Sequence, residues 1–103
     1  MFEETEEQTK NLNEEELAIQ IDQNSPNPFS NLTEIQYFVN RTEKVKLSLY
    51  DMTGREISRL IDKNIKGGWH TLIVNGSGLS SGVYILRLEA GAKAVIKKIN
   101  KMD

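Results

Sequence analysis

His70 is the only histidine in this chain, and there is no cysteine. A metal centre or a catalytic base built on one imidazole needs carboxylates at a fixed spacing from it. The acids of this sequence are scattered and supply no such pattern. On a strand, His70 shares a face with Leu72 and Val74, so it reads as a structural side chain. Ser80-Ser81-Gly82 places a hydroxyl beside a glycine but lacks the strand-turn-helix frame of a nucleophile elbow. Gly76, Gly78 and Gly82 precede no helical pattern and therefore form no phosphate loop. Asn31-Leu32-Thr33, Asn40-Arg41-Thr42 and Asn75-Gly76-Ser77 match the short acceptor pattern for N-glycosylation, which recurs by chance. Tyr37, Tyr50 and Tyr84 fall at strand positions and define no aromatic platform. The residues thus point to a non-enzyme, with no catalytic, cofactor-binding or metal-ligating set.

The elements that would position any function are β-strands. At 103 residues, 38% hydrophobic and 27% charged, the chain has the size and composition of one soluble domain with a modest core. Without cysteine it has no disulfide framework and no thiolate metal site. No apolar run approaches the roughly 20 residues of a membrane-spanning helix. The acidic N-terminus lacks the basic and apolar blocks of a signal peptide. The net charge of −2 conceals an asymmetry. Residues 1–24 carry eight acids and one lysine, whereas residues 25–103 carry twelve Lys or Arg and seven acids. In the basic part the cations alternate with apolar strand positions and form no stripe interleaved with aromatics, which argues against nucleic acid.

Val45-Lys46-Leu47-Ser48-Leu49-Tyr50 alternates with period two and is followed by Asp51-Met52-Thr53-Gly54, a tight reversal. This hairpin is the centre of the expected sheet. Glu3, Glu4, Glu6 and Glu7 repel one another, so residues 1–16 are expected to be a flexible acidic linker or tail, and residues 17–103 the domain. Leu17, Ile19 and Ile21 alternate as a first strand, in preference to a single helical turn capped at Asn13. Two prolines at spacing two make Asn24-Ser25-Pro26-Asn27-Pro28-Phe29 a rigid corner that delivers Phe29 to the core. Ile35, Tyr37 and Val39 line one face of the next strand. Asp62 to Gly68 reads as a loop from its charges and paired glycines. Trp69 to Val74, Gly82 to Leu88 and Ala94 to Ile99 read as strands, the middle one central. Six or seven short strands with a turn about every ten residues imply an all-β, antiparallel immunoglobulin-like β-sandwich.

Four stretches, taken together and in order, resemble one family. Asn24 to Phe29 followed by Thr33-Glu34-Ile35 is similar to the opening of the C-terminal sorting domains of the type IX (Por) secretion system of Bacteroidetes. Leu49-Tyr50-Asp51-Met52-Thr53-Gly54-Arg55 resembles the family's hairpin. Leu79-Ser80-Ser81-Gly82-Val83-Tyr84 resembles its Leu-x-x-Gly-Val-Tyr strand entry, and Lys97-Lys98-Ile99-Asn100-Lys101 its lysine-bearing last strand. The match covers about residues 17–103. It departs where the family often has an aromatic before its Asn/Asp-Gly turn, here Leu72-Ile73-Val74, and where Met102-Asp103 follow the last lysine. The immunoglobulin-like domain of flagellar hook-capping proteins shares the first three motifs.

The resemblance implies a non-catalytic address label. Such a domain follows a secreted passenger, is recognised by outer-membrane secretion machinery after passage through the periplasm, and reaches the cell surface or medium. A surface sortase commonly cuts upstream of it. On this reading the recognition residues are Lys97, Lys98, Ile99 and Lys101 in the last strand, whose edge can offer N–H and C=O groups to a partner. The lysines are expected to be exposed and dispensable to the fold. A structural or spacer module of a cell-surface or flagellar hook-capping protein is the alternative.

Overall fold

A computed structural model describes residues 19–103. They form β1 (Ile19–Ile21), β2 (Leu32–Val39), β3 (Glu43–Asp51), β4 (Glu56–Ile65), β5 (Gly68–Asn75), β6 (Gly82–Ala90) and β7 (Lys93–Lys101). Three strands make one sheet in the order β1-β2-β5, and four make the other in the order β4-β3-β6-β7. All strand pairs are antiparallel. The all-β sandwich expected from the alternation is the fold observed. Leu17 and the acidic segment 1–16 lie outside the described residues.

Alternation explains the layers. Ile35, Tyr37 and Val39 of β2 face Val45, Leu47 and Leu49 of β3 and Leu86 and Leu88 of β6 in one buried cluster. Period-two spacing leaves the intervening side chains on the outer faces. β3 and β6 are the inner strands of the four-stranded sheet, as the apolar run in β6 suggested. His70 lies on the inward parity of β5 beside Tyr37, with ring centroids 5.4 Å apart and nearly parallel. Its Nε2 donates to the Lys66 carbonyl at 2.6 Å, because a carbonyl oxygen can only accept.

The hairpin turn works as its residues require. Asp51 Oδ1 accepts from the Thr53 backbone N–H at 2.9 Å, the Thr53 hydroxyl at 2.6 Å and the Arg55 N–H at 3.0 Å. The Thr53 hydroxyl and then the Arg55 N–H hold the Asp51 carboxyl below its ordinary pKa. Gly54 takes a φ of 90°, which only glycine adopts freely.

One expectation is corrected. Asp62 to Ile65 are strand, because β4 continues to Ile65 and pairs with β3 as far as Glu43. Ile61 and Ile65 are buried, and Asp62 and Asn64 stand opposite Lys46 and Lys44 on the outer face. The charges that looked like a loop are one face of an amphipathic strand, with Lys44 and Asp62 paired at 3.4 Å. Two register shifts leave Leu60 and Ile57 as extra residues opposite β3. Both pack against the core.

Candidate recognition strand

β7 is an edge strand. Its register with β6 sets Lys101 opposite Gly82, Ile99 opposite Tyr84, Lys97 opposite Leu86 and Val95 opposite Leu88. These odd-numbered residues point inward. Ala94, Ile96, Lys98 and Asn100 point outward. The four residues singled out in the sequence therefore divide between faces. Ile99 is wholly buried in the core, and Lys98 is exposed on the outer face. Lys97 is half-buried on the inward parity.

Lys101 departs from the expectation of an exposed lysine, being only 7% exposed. Its stem lies against Gly76 beside the Phe29 ring, since a Cβ built on Gly76 would stand 3.4 Å from Lys101 Cδ and 2.5 Å from Phe29 Cε2. Its ammonium donates to the Met102 carbonyl at 2.9 Å. A long aliphatic stem can be buried in this way while the head finds an acceptor.

The cover over Lys101 is the proline corner. The backbone N–H of Phe29 donates to the Asn100 carbonyl at 2.9 Å, and that of Met102 to the Phe29 carbonyl at 2.8 Å. The Asn100 N–H donates to Asn27 Oδ1 at 2.9 Å. Gln23 Nε2 donates to the Lys98 carbonyl at 3.1 Å. Phe29 and Lys101 thus form a short parallel bridge on the outer edge of β7. The corner itself is tied by buried polar groups. Asn24 Nδ2 donates to Thr33 Oγ1 at 2.9 Å and to the Pro26 carbonyl at 3.0 Å, and Thr33 Oγ1 donates to the same carbonyl at 2.8 Å. Sequence reasoning placed Phe29 in the core but did not identify Asn24 and Thr33 as buried polar partners. The signal was present in an Asn preceding an X-Pro pair and a Thr at an inward strand position.

Most cations of the four-stranded sheet that flank β7 are ion-paired, while Lys63, Lys97, Lys98 and Lys101 form no ion pair among the described residues. Arg87 pairs with Glu89, Lys46 with Glu89, and Arg59 with both Glu56 and Asp62. Among the described residues, Lys97 and Lys98 have no ion-pair partner. On the outer face, Tyr50, Met52, Ile85 and Ile96 line a shallow apolar depression of about 430 Å³ with Arg87 and Asp51 at its rim. No cluster of His, Cys, Asp or Glu fit to hold a metal occurs among the described residues. Ser80 spends its carbonyl on the Tyr84 hydroxyl, 2.6 Å away.

A search of curated proteins found no match to the chain. A model of the secretion system C-terminal sorting domain matches residues 25–102, from the proline corner to the end of β7. The chain belongs to this family of non-catalytic C-terminal sorting signals, which mark secreted or cell-surface proteins for the type IX secretion machinery.

Proposed function

We propose that residues 17–103 carry a passenger joined ahead of them across the outer membrane, and that β7 is the element the machinery reads. The acidic residues 1–16 serve as the approach in which a surface sortase cuts. The module passes through the periplasm in transit and is left at the surface or in the medium. Lys97 and Lys98 supply the charge that is recognised. Ile99 and Lys101 hold the strand in the sandwich so that the charges are presented at a fixed height.

The observation that carries this reading is a pair of adjacent lysines on an edge strand that have no acidic partner among the described residues, beside a strand whose Arg87 is ion-paired. An exposed charge such as Lys98 contributes little to stability, and half-buried Lys97 forms no ion pair among the described residues, so a requirement for the two charges would lie in binding. The test is export of a reporter fused ahead of Met1 in a strain with the type IX system. The Lys97→Ala/Lys98→Ala double variant should melt within a few degrees of the parent, the range of small surface effects on a domain this size. Its export should fall sharply. Normal export by the folded double variant would remove these lysines from the address. Normal export after deletion of Val95 to Asp103 would sink the sorting role of β7 and leave a spacer module on a cell-surface or flagellar protein.

A further inference from the structure

The backbone of β7 is closed along one half of its outer edge and open along the other. In an antiparallel ladder a residue's N–H and C=O point to the same side, and successive residues alternate sides. Asn100 uses both groups outward, on Asn27 and Phe29, and Lys98 uses its carbonyl outward, on Gln23. The same parity turns both groups of Ala94 and Ile96, and the N–H of Lys98, away from β6. Among the described residues no hydrogen bond engages these five groups. The strand therefore ends in a clamp and begins as a template.

We infer that this template takes an added strand: an extended segment of the secretion partner pairs with Ala94 to Lys98, bearing an apolar side chain beside Ile96 and carboxylates beside Lys97 and Lys98. The inference rests on the proposed recognition role of β7 and names its partner's chemistry. Three features converge on this occupant. The unpaired backbone groups are satisfied by another strand, and strand addition to an open edge is a recurrent mode of peptide recognition. Lys97 and Lys98, without acidic partners among the described residues, lie at the clamp end of the open stretch and complement acidic side chains. Ile96, 58% exposed, sits at the lip of the apolar depression that Tyr50, Ile85 and Met52 line, so an apolar residue on the added strand's outer face extends that surface. The clamp sets the register, since the added strand cannot run past Lys98 without displacing Gln23 and Asn27.

Proline separates this mode from recognition by side chains alone. Ile96→Pro removes one outward N–H that the fold does not use, and an edge strand accepts proline where that N–H faces away from the ladder. With the reporter fused ahead of Met1, Ile96→Pro should retain a melting temperature within a few degrees of the parent and export at least tenfold less. Ile96→Ala keeps the N–H and should lose only about twofold. Lys97→Glu/Lys98→Glu should lose at least tenfold. A folded Ile96→Pro variant that exports normally overturns the added strand; if the lysine variants still fail, the address reading stands without it. If both export normally, the address reading has failed as well.

Amide exchange on the purified parent chain tests the template independently of export, including the case in which the proline variant does not fold. The amides of Ala94, Ile96 and Lys98 should exchange at least tenfold faster than those of Val95, Lys97 and Ile99. Equal protection at alternate positions would mean that the edge is already covered, by the chain ahead of Ile19 or by a second copy, and would overturn the proposal.

Discussion

The two halves of β7 both alternate inward and outward side chains and both carry lysine, yet they meet opposite fates. From Lys98 to Lys101 the strand is bound on both sides, by β6 within the sheet and by Gln23, Asn27 and Phe29 along its edge. From Ala94 to Lys97 its backbone pairs with β6 alone among the described residues, while Val95 packs against the core. Lysines occur in both halves, yet Lys101 at the far end of the clamped half is buried, whereas Lys97 at the end of the open half is only half-buried. The difference does not come from the strand's own sequence. It comes from a corner more than seventy residues earlier, which bends through two prolines and fits over one half only. The corner and the last strand are therefore one structural device. Its stiffness at one end positions the open end.

The clamped half depends most on Phe29. The ring is fully buried and closes the sandwich beneath Gly76 and Lys101. Phe29→Ala should destabilise the domain by about 4 kcal/mol, the range for deleting a buried aromatic. It should also free the amides of Asn100 and Met102 to exchange. Urea melts that show a loss below about 1 kcal/mol would mean that the corner does not anchor β7. Ile99→Ala tests the same half from inside the core, where the side chain is fully buried against the sheet. The expected loss is about 3 kcal/mol. Val95, half-buried at the open end, should respond less to the same truncation.

Gly76 probes the fit between the parts. An added Cβ would lie 2.5 Å from Phe29 Cε2, closer than van der Waals contact permits. The aromatic ring has a core on its other side and little room to withdraw. Gly76→Ala should cost about 1–3 kcal/mol, the usual range for overpacking. A neutral result in thermal melts would show that the corner shifts freely, and the contrast between the halves would lose its basis.

Much of this fold was legible because burial follows strand parity. Val45, Leu47 and Leu49, then Ile35, Tyr37 and Val39, announce their faces by spacing alone, and Asp51-Met52-Thr53-Gly54 announces its turn by backbone chemistry. The length of β4 was obscured because Asp62, Lys63 and Asn64 together resemble a loop. Only the buried Ile61 and Ile65, read four residues apart across them, reveal a strand with a polar outer face. The candidate site was legible in part. Parity places Ile99 and Lys101 on one face of β7, but not the cover over Lys101. That cover is made by Phe29 and Gly76, and contacts at such separation leave no trace in local periodicity. The open stretch was obscured for the same reason: an edge is defined by which segments fail to reach it.

Lys101 and Lys98 differ on the smallest energetic scale. Lys101 contributes through its methylenes, which cover the Phe29 ring and Gly76, and through the bond from its ammonium to the Met102 carbonyl. Lys101→Ala removes that packing and should cost about 1 kcal/mol, whereas Lys101→Met retains the stem and should recover most of it. Lys98 has an exposed side chain with no partner among the described residues, so Lys98→Ala should change stability by less than about 0.5 kcal/mol. Its effect belongs to export. The two substitutions thus trade places between assays: Lys101→Ala lowers the melting temperature and impairs export only as far as it loosens the strand, while Lys98→Ala leaves the melt unchanged and weakens export directly. If Lys98→Ala lowered the melting temperature as much as Lys101→Ala, the Lys98 side chain would be built into the sandwich as firmly as that of Lys101, and it could not belong to the surface a partner reads.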